Sequence, residues 1–133
     1  MTEIRSNFLR TVIALDAAAC GVMGAAFAFD AGWLAEPLGL SPALMQPVGL
    51  FLLPYAAVLA WLASRPALPR LVVWTLVGFN VLWAAESIGL VALGWVQPTT
   101  LGLAVVVGQA VAALVVAELQ YLALRRARQA AVA

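Results

Sequence analysis

The chain has 133 residues, of which 65% are hydrophobic and only 10% are charged, with a formal net charge of +1 and a mean hydropathy of +1.04. Charged residues normally make up about a quarter of a soluble domain, so this composition excludes an ordinary water-soluble globular fold. Lipid is the solvent that suits such a chain, and the sequence predicts an all-α membrane protein.

Four apolar runs are long enough to cross a bilayer. A span needs roughly 20 mainly apolar residues, because each helical residue rises about 1.5 Å and the hydrocarbon core is about 30 Å thick. The runs lie at residues 8–29, 42–63, 71–94 and 99–124. Little of the chain remains outside them. We therefore expect residues 1–133 to form one integral membrane domain, a bundle of four transmembrane helices.

Local signals explain where the runs begin and end. Ser41 and Pro42 are typical of a helix start, with serine as the N-cap and proline at the first helical position. Pro54 lies inside the second run and is expected to kink that helix. Gly94 is expected to close the third run. Residues 30–40 are too many for a tight turn, and we expect a short amphipathic segment along the membrane surface.

The positive charges predict how the chain is threaded. All seven are arginines, and they fall before the first run, between the second and third, and after the fourth: Arg5, Arg10, Arg65, Arg70, Arg125, Arg126 and Arg128. With four spans, these three segments share one side of the membrane, and the positive-inside rule makes that side cytoplasmic. We expect a multi-pass protein of the bacterial inner (plasma) membrane with both termini in the cytoplasm.

Missing residue types exclude several chemistries. The sequence contains no histidine, no lysine and a single cysteine, Cys20. Haem or zinc bound by histidine, a Schiff base on lysine, an internal disulfide and a C-x-x-C redox pair are therefore excluded. The sequence shows no catalytic constellation, and we expect no enzyme activity, cofactor, metal site or nucleic-acid partner.

The few polar residues inside the runs fall at two depths. Counted at about 1.5 Å per residue from the cytoplasmic end of each run, one layer lies roughly 12–14 Å deep and the other roughly 22 Å deep. The inner layer contains Asp16, Tyr55, Asn80 and, slightly shallower, Glu118; the outer layer contains Glu86 and Gln109. These six residues are the candidate binding residues.

Helical phase suggests which side of the third run faces protein. At about 100° per residue, five residues share an arc of roughly 140° on this helix. They are Thr75, Asn80, Trp83, Glu86 and Ser87. We expect this arc to face neighbouring helices and not lipid.

Two interpretations remain open for the carboxylates, because a carboxylate within a span is costly and usually faces a partner, a cavity or a subunit interface. Glu86 either donates a hydrogen bond to Gln109 or to a backbone carbonyl as a protonated acid, which would hold two helices together, or binds a proton or cation in a pathway. Asp16 presents the same choice. Arg10 or Arg125 could neutralise Glu118.

Small residues on the first run point to close helix packing. They recur at a 4-3-4-3 spacing on one face: Ala14, Ala18, Gly21, Ala25 and Ala28. Such a stripe lets helices approach closely in lipid. Asp16 lies about 150° away from its centre, so both faces of this helix need a protein neighbour. We expect a homo-oligomer or a membrane protein partner, together with the lipid bilayer.

The stretches NVLWAAES (80–87), QPTTLG (97–102), VVVGQA (105–110) and AELQYLALRR (117–126) resemble a family of short four-span bacterial membrane proteins with no assigned activity. The architecture is also similar to DoxX-like proteins and small multidrug resistance proteins. The latter place a carboxylate in the first span, where Asp16 stands here. This chain has aspartate in place of their glutamate and lacks the rest of their pattern, so the analogy is architectural.

Two functions of different class follow from these observations. The first is transport or binding of a small cation or hydrophobic ligand through intramembrane carboxylates, with Asp16, Tyr55 and Asn80 as a polar site. The second is an accessory or structural subunit of a membrane complex, in which the carboxylates only hold helices together. A water-accessible cavity at Asp16 or Glu86 would favour the first, and a fully hydrogen-bonded carboxylate the second.

Overall fold

The computed structural model describes residues 3–132, with side chains described as far as residue 130. Its elements are five helices and a pair of two-residue strands: β1 Glu3–Ile4, α1 Asn7–Phe29, α2 Ala31–Leu38, α3 Pro42–Ala63, β2 Leu68–Pro69, α4 Arg70–Ala92 and α5 Thr100–Val132. Four of these helices, α1, α3, α4 and α5, are long and apolar enough to cross a membrane. This confirms the helical bundle and adds α2, a short helix where the amphipathic segment was expected.

The helix boundaries have the local causes that the sequence suggested. Ser41 caps α3, because its hydroxyl accepts a hydrogen bond from the backbone N–H of Leu44 at 3.2 Å, and Pro42 is the first helical residue. Gly94 follows the end of α4 with a φ of 72°, a conformation that glycine adopts without strain. The helix α3 continues through Pro54, which is exposed on its outer face.

The last helix is longer than the apolar run that it contains. The run was predicted to end at residue 124, but α5 continues to Val132. The added residues include arginine, alanine and glutamine, which are good helix formers, so the helix continues past the end of the apolar segment.

The three arginine-bearing segments meet at one end of the bundle, here called the arginine end. The strands β1 and β2 pair antiparallel, with Ile4 opposite Leu68, which ties the N-terminal segment to the turn between α3 and α4. Arg10 Nε donates a hydrogen bond to the carbonyl oxygen of Ala63 at 3.0 Å. The guanidinium of Arg126 lies 5.1 Å from the ring centre of Phe8, which brings the end of α5 to the same place.

At the opposite end, here called the α2 end, hydrogen bonds tie α2 to the start of α5. Thr99 Oγ1 donates to the carbonyl oxygen of Pro37 at 2.6 Å, and the Thr99 N–H donates to that of Leu38 at 3.1 Å. Gly102 lies so close to Leu38 that a Cβ atom at this position would be 1.8 Å from the Leu38 oxygen. The turn after α2 uses Gly39 at a φ of 65°.

The long helices form two hairpin pairs, with α1 packed mainly on α3 and α4 on α5. The contact of α1 with α3 is closest at glycine: a Cβ on Gly49 would lie 2.3 Å from the Ala28 nitrogen and 2.7 Å from the Gly24 oxygen. The predicted small-residue stripe takes part at Ala28, whereas Ala14 and Ala18 are exposed. Close approach at small residues is the usual way in which membrane helices pack.

Candidate functional site

A cavity of about 170 Å³ lies between the two hairpin pairs, and each long helix contributes one side-chain carboxyl, hydroxyl or amide group to its lining. These are Asp16 from α1, Tyr55 from α3, Asn80 from α4 and Gln109 from α5. Cys20 and apolar side chains complete the wall of this space, here called the Asp16 cavity. Three members of the predicted inner layer, Asp16, Tyr55 and Asn80, therefore come together around one space.

Asp16 is buried, with 8% of its surface exposed, on the face of α1 that carries Ile13 and Ala17. Its Oδ1 accepts a hydrogen bond from the Cys20 thiol at 3.4 Å, one turn along the same helix. Its Oδ2 is buried and has no hydrogen-bond partner among the described residues. A thiol is a weak donor. The carboxyl group of this cavity-lining residue therefore keeps one acceptor atom without a partner among the described residues, and its bond to Cys20 does not link α1 to another helix.

Two more polar atoms near this carboxyl group are buried without a partner in the described part of the chain. One is the hydroxyl of Tyr55, on the cavity wall. The other is Nε2 of Gln120, whose Oε1 accepts a hydrogen bond from Asn80 Nδ2 at 3.2 Å. Buried polar groups without a partner cost free energy and are uncommon, and a ligand or water that pairs with them would recover that cost.

Gln120 is the polar partner that sequence reasoning missed, and Glu118 is the one that it placed wrongly. Gln120 is fully buried between α4 and α5, whereas Glu118 is exposed on the outer face of α5. The two residues are about 200° apart around the helix axis, so only one of them can face α4. The signal in the sequence was the amide of Gln120, two residues after the carboxylate of Glu118. Comparing its position around the helix axis with that of Gln109 would have identified it.

A second cavity, of about 140 Å³, lies toward the α2 end and is here called the Glu86 cavity. Its lining is mainly apolar, with Phe27, Met45 and Val106 among the contributing residues. The polar contributors are Trp83, Glu86, Ser87 and Gln109. Glu86 is exposed, as is Thr75, so the arc on α4 that was expected to face protein is covered only in part, at Asn80, Trp83 and Ser87.

The expected hydrogen bond between Glu86 and Gln109 is wrong. Gln109 Oε1 accepts from the indole Nε1 of Trp83 at 2.7 Å, and Gln109 Nε2 donates to the carbonyl oxygen of Val106 at 2.9 Å. The indole N–H of Trp83 has a single hydrogen to donate, and a partly buried tryptophan usually finds a partner for it. Within residues 3–130, Glu86 makes no hydrogen bond of its own.

A row of aromatic rings supports the site from the side of α3 and α4. Tyr55 and Phe79 lie with ring centres 4.5 Å apart, and Phe79 and Trp83 follow at 5.9 Å. Phe51 stacks near all three, at 5.9 to 6.2 Å. Such pairs restrict ring rotation, so the row holds the Tyr55 hydroxyl and the Trp83 indole in place.

The chemistry of the Asp16 cavity is that of a small oxygen-lined site in an apolar surround. A carboxylate oxygen, a phenol and side-chain amides can bind a proton or a small cation. Among the described residues, no three His, Cys, Asp or Glu side chains gather in a group that could hold a metal ion. The fold and the two cavities define a helical protein with four candidate membrane spans and a partly polar interior.

Comparison with protein families, with curated proteins and with solved structures gives no match to this chain. The resemblance to four-span bacterial membrane proteins, to DoxX-like proteins and to small multidrug resistance proteins therefore stays an expectation.

Proposed function

We propose that the protein is a small transporter of the bacterial inner membrane, which binds a proton or small monovalent cation at Asp16. The observation that carries the proposal is the Oδ2 atom of Asp16, a residue that lines a cavity, because this atom is buried without a hydrogen-bond partner among the described residues. A carboxyl group inside a membrane-spanning bundle costs free energy, and it usually faces a partner or lines an ion pathway.

The hydrogen bonding around Asp16 separates this proposal from a purely structural role. A carboxyl group that locks a bundle should bond to a different helix, because such a bond resists helix separation. The recorded hydrogen bond of Asp16 goes to Cys20 on α1 itself. Asn80 lies nearby on α4 and donates one of its two amide hydrogens to Gln120. The free oxygen, the Tyr55 hydroxyl and the cavity between them favour a bound ligand.

Two alternatives keep some support. The Glu86 cavity is largely apolar and would suit a hydrophobic ligand. An accessory or structural subunit is favoured by the Asn80–Gln120 hydrogen bond, which links α4 to α5 and needs no ligand. Neither observation accounts for the free carboxyl oxygen of Asp16, so cation binding remains our first choice.

The proposed orientation places the arginine end in the cytoplasm. The contacts of Arg10 and Arg126 and the β1–β2 pair gather the positively charged segments at one end, as the positive-inside rule requires of a cytoplasmic face. Assembly as a homo-oligomer or with a membrane protein partner is part of the same proposal. It is supported by Glu86 and Glu118, two carboxylates on exposed helix faces, which a second protein surface would shield from lipid.

The proposal is tested by ion flux in proteoliposomes that contain a trapped pH-sensitive dye. A potassium diffusion potential drives protons, and sodium and potassium are followed with ion-selective dyes in parallel. We expect the wild type to exceed protein-free liposomes for at least one of these ions, and Asp16→Asn to fall to the background while remaining folded by circular dichroism and size exclusion.

Asp30→Asn is the matched control, because Asp30 is an exposed aspartate between α1 and α2, outside both cavities. It should keep the wild-type flux. Wild-type flux equal to the protein-free background for all three ions would overturn the proposal, and so would full flux in Asp16→Asn.

A further inference from the structure

The two cavities are neighbours that share part of their walls. Met23, Trp83 and Gln109 line both of them. The Asp16 cavity lies on the side of this trio nearer the arginine end, and the Glu86 cavity lies on the side nearer the α2 end, beside Leu40 and Val96. The two cavities are therefore separated by these shared side chains and not by a whole helix.

We propose that the two cavities are halves of one path, with a second cation site at Glu86 and the hydrogen-bonded pair Trp83–Gln109 as the partition between the sites. This inference rests on the proposed function, because it concerns how a cation that enters at the α2 end reaches Asp16. It assigns a role to Glu86, which the Asp16 cavity does not include.

The spacing along α4 suits two successive sites. Glu86 follows Asn80 by six residues, which is about 9 Å along the helix axis, and Trp83 stands midway. Glu86 is the carboxyl group in a lining that is otherwise apolar apart from Trp83, Ser87 and Gln109. The Glu86 side chain makes no hydrogen bond within residues 3–130. A cation in this cavity would therefore meet a carboxylate with few other polar groups around it.

The partition is formed by a single hydrogen bond between two side chains. The indole of Trp83 is held on one side by Phe79 and Phe51, so its ring has little freedom to move. Gln109 is held by its bond to the Val106 carbonyl on its own helix and by the 2.7 Å bond from the indole. A change of the Gln109 rotamer would break these bonds without moving a helix, so this side chain is the movable half of the pair.

The thiol of Cys20 allows this path to be tested by chemical labelling. Cys20 is the single cysteine of the sequence, and it lines the Asp16 cavity but not the Glu86 cavity. A thiol reagent that approaches through the Glu86 cavity meets the Trp83–Gln109 pair before it reaches the Cys20 sulfur. Membrane-impermeant methanethiosulfonates exist in a cationic trimethylammonium form and an anionic sulfonate form, which allows the charge preference of the path to be measured.

The experiment applies these reagents to one face of sealed membranes at a time, using spheroplasts and inverted vesicles, and scores unmodified Cys20 by mass-tagging after denaturation. From the α2 face, we expect slow modification of the wild type and about tenfold faster modification of Trp83→Phe, the factor that loss of one neutral hydrogen bond allows. Gln109→Leu removes the acceptor instead of the donor and should give the same acceleration. It replaces Trp83→Phe in the experiment if that variant folds poorly. Trp74→Phe is the matched control, because Trp74 packs on Tyr121 and lines neither cavity.

The Glu86 site is tested in the Trp83→Phe background. Glu86→Gln should lower the ratio of cationic to anionic labelling by about fivefold or more, because the attracting carboxylate is lost. The small neutral reagent methyl methanethiosulfonate crosses the membrane, so equal labelling by it in all variants shows that the intrinsic reactivity of Cys20 is unchanged.

The proposed path is contradicted if Cys20 is modified from the α2 face at the wild-type rate in both Trp83→Phe and Gln109→Leu. The second cation site is contradicted if Glu86→Gln leaves the ratio of cationic to anionic labelling unchanged. These readouts require no ion flux. Failure of the flux experiment with accelerated labelling would reject transport and keep the connected cavities, whereas flux without accelerated labelling would reject only the path through the partition.

Discussion

Asn80 Nδ2 donates a hydrogen bond of 3.2 Å to Gln120 Oε1 across the contact of α4 with α5, and both residues are almost fully buried. The bond joins the two helices of one hairpin at the edge of the Asp16 cavity. Together with the bond from Trp83 to Gln109, it connects two of the long apolar helices through polar side chains.

This bond predicts a measurable coupling. Gln120→Met and Asn80→Leu should each lower the free energy of unfolding in mixed detergent micelles by about 1 kcal/mol, because each leaves a buried amide without a partner. A double-mutant cycle should give a coupling of about 0.6 kcal/mol, and at most about 2 kcal/mol. Gln46→Met, at an exposed position on α3, is the control and should change the unfolding free energy by less than about 0.5 kcal/mol. A coupling of zero would show that the two amides are not bonded in the membrane.

Gly49→Ala should be strongly destabilising. The added methyl group would lie 2.3 Å from the backbone nitrogen of Ala28 and 2.7 Å from the carbonyl oxygen of Gly24, and backbone atoms cannot move aside cheaply. We expect a loss of about 1–3 kcal/mol in the same unfolding assay, as overpacking of a close contact costs.

Gly78→Ala is the comparison for Gly49→Ala. Nothing lies within 4 Å of a Cβ at Gly78, which is also inside a long helix. This change should be neutral or stabilising by up to about 1 kcal/mol. Equal losses at the two glycines would mean that α1 and α3 are not in close contact.

Glu86 should be dispensable for the fold. Because Gln109 bonds to Trp83, replacing Glu86 leaves no partner without a hydrogen bond. Glu86→Gln and Glu86→Leu should both keep the unfolding free energy within about 1 kcal/mol of the wild type. The sequence alone predicted a larger loss for leucine, through an orphaned Gln109. If Glu86→Gln unfolds the protein in mild detergent, the carboxylate is ionised and paired in the native protein.

The threading of the chain predicts where reporter fusions are active. A reporter at the C-terminus should lie in the cytoplasm, because three arginines follow the fourth apolar run. A reporter inserted within residues 30–40 should lie outside, since that loop carries Asp30 and Glu36 and no arginine. Alkaline phosphatase and green fluorescent protein fusions give opposite signals on the two sides. A periplasmic C-terminus would overturn the orientation.

Signals that act over one or two helical turns predicted the fold well. Ser41 with Pro42 placed the start of α3, and Gly94 follows the end of α4 as expected. Counting depth along the helices also brought Asp16, Tyr55 and Asn80 to one level, and the structure gathers all three around one cavity. These predictions succeed because helical rise is nearly constant and capping depends on neighbouring residues.

The pairing of side chains could not be predicted in the same way. Depth specifies height but not which neighbour a side chain faces, so Glu118 was placed where Gln120 lies, and Glu86 was assigned the partner that Trp83 takes. Which of two candidate partners meets an amide depends on helix rotation and crossing, and these follow from the packing of all four long helices together.

The close glycine contact between α1 and α3 has a mechanical consequence. Where two backbones touch, neither helix can slide or rotate without a clash, so α1 and α3 should behave as one rigid body. The other hairpin, α4 with α5, is tied by Asn80 and Gln120. The boundary between these two bodies contains both cavities and much less direct helix contact. Rocking of one hairpin against the other would therefore widen one cavity while narrowing its neighbour, with the connection between α3 and α4 as the hinge and the hydrogen bond from Thr99 to Pro37 as the tie at the other end.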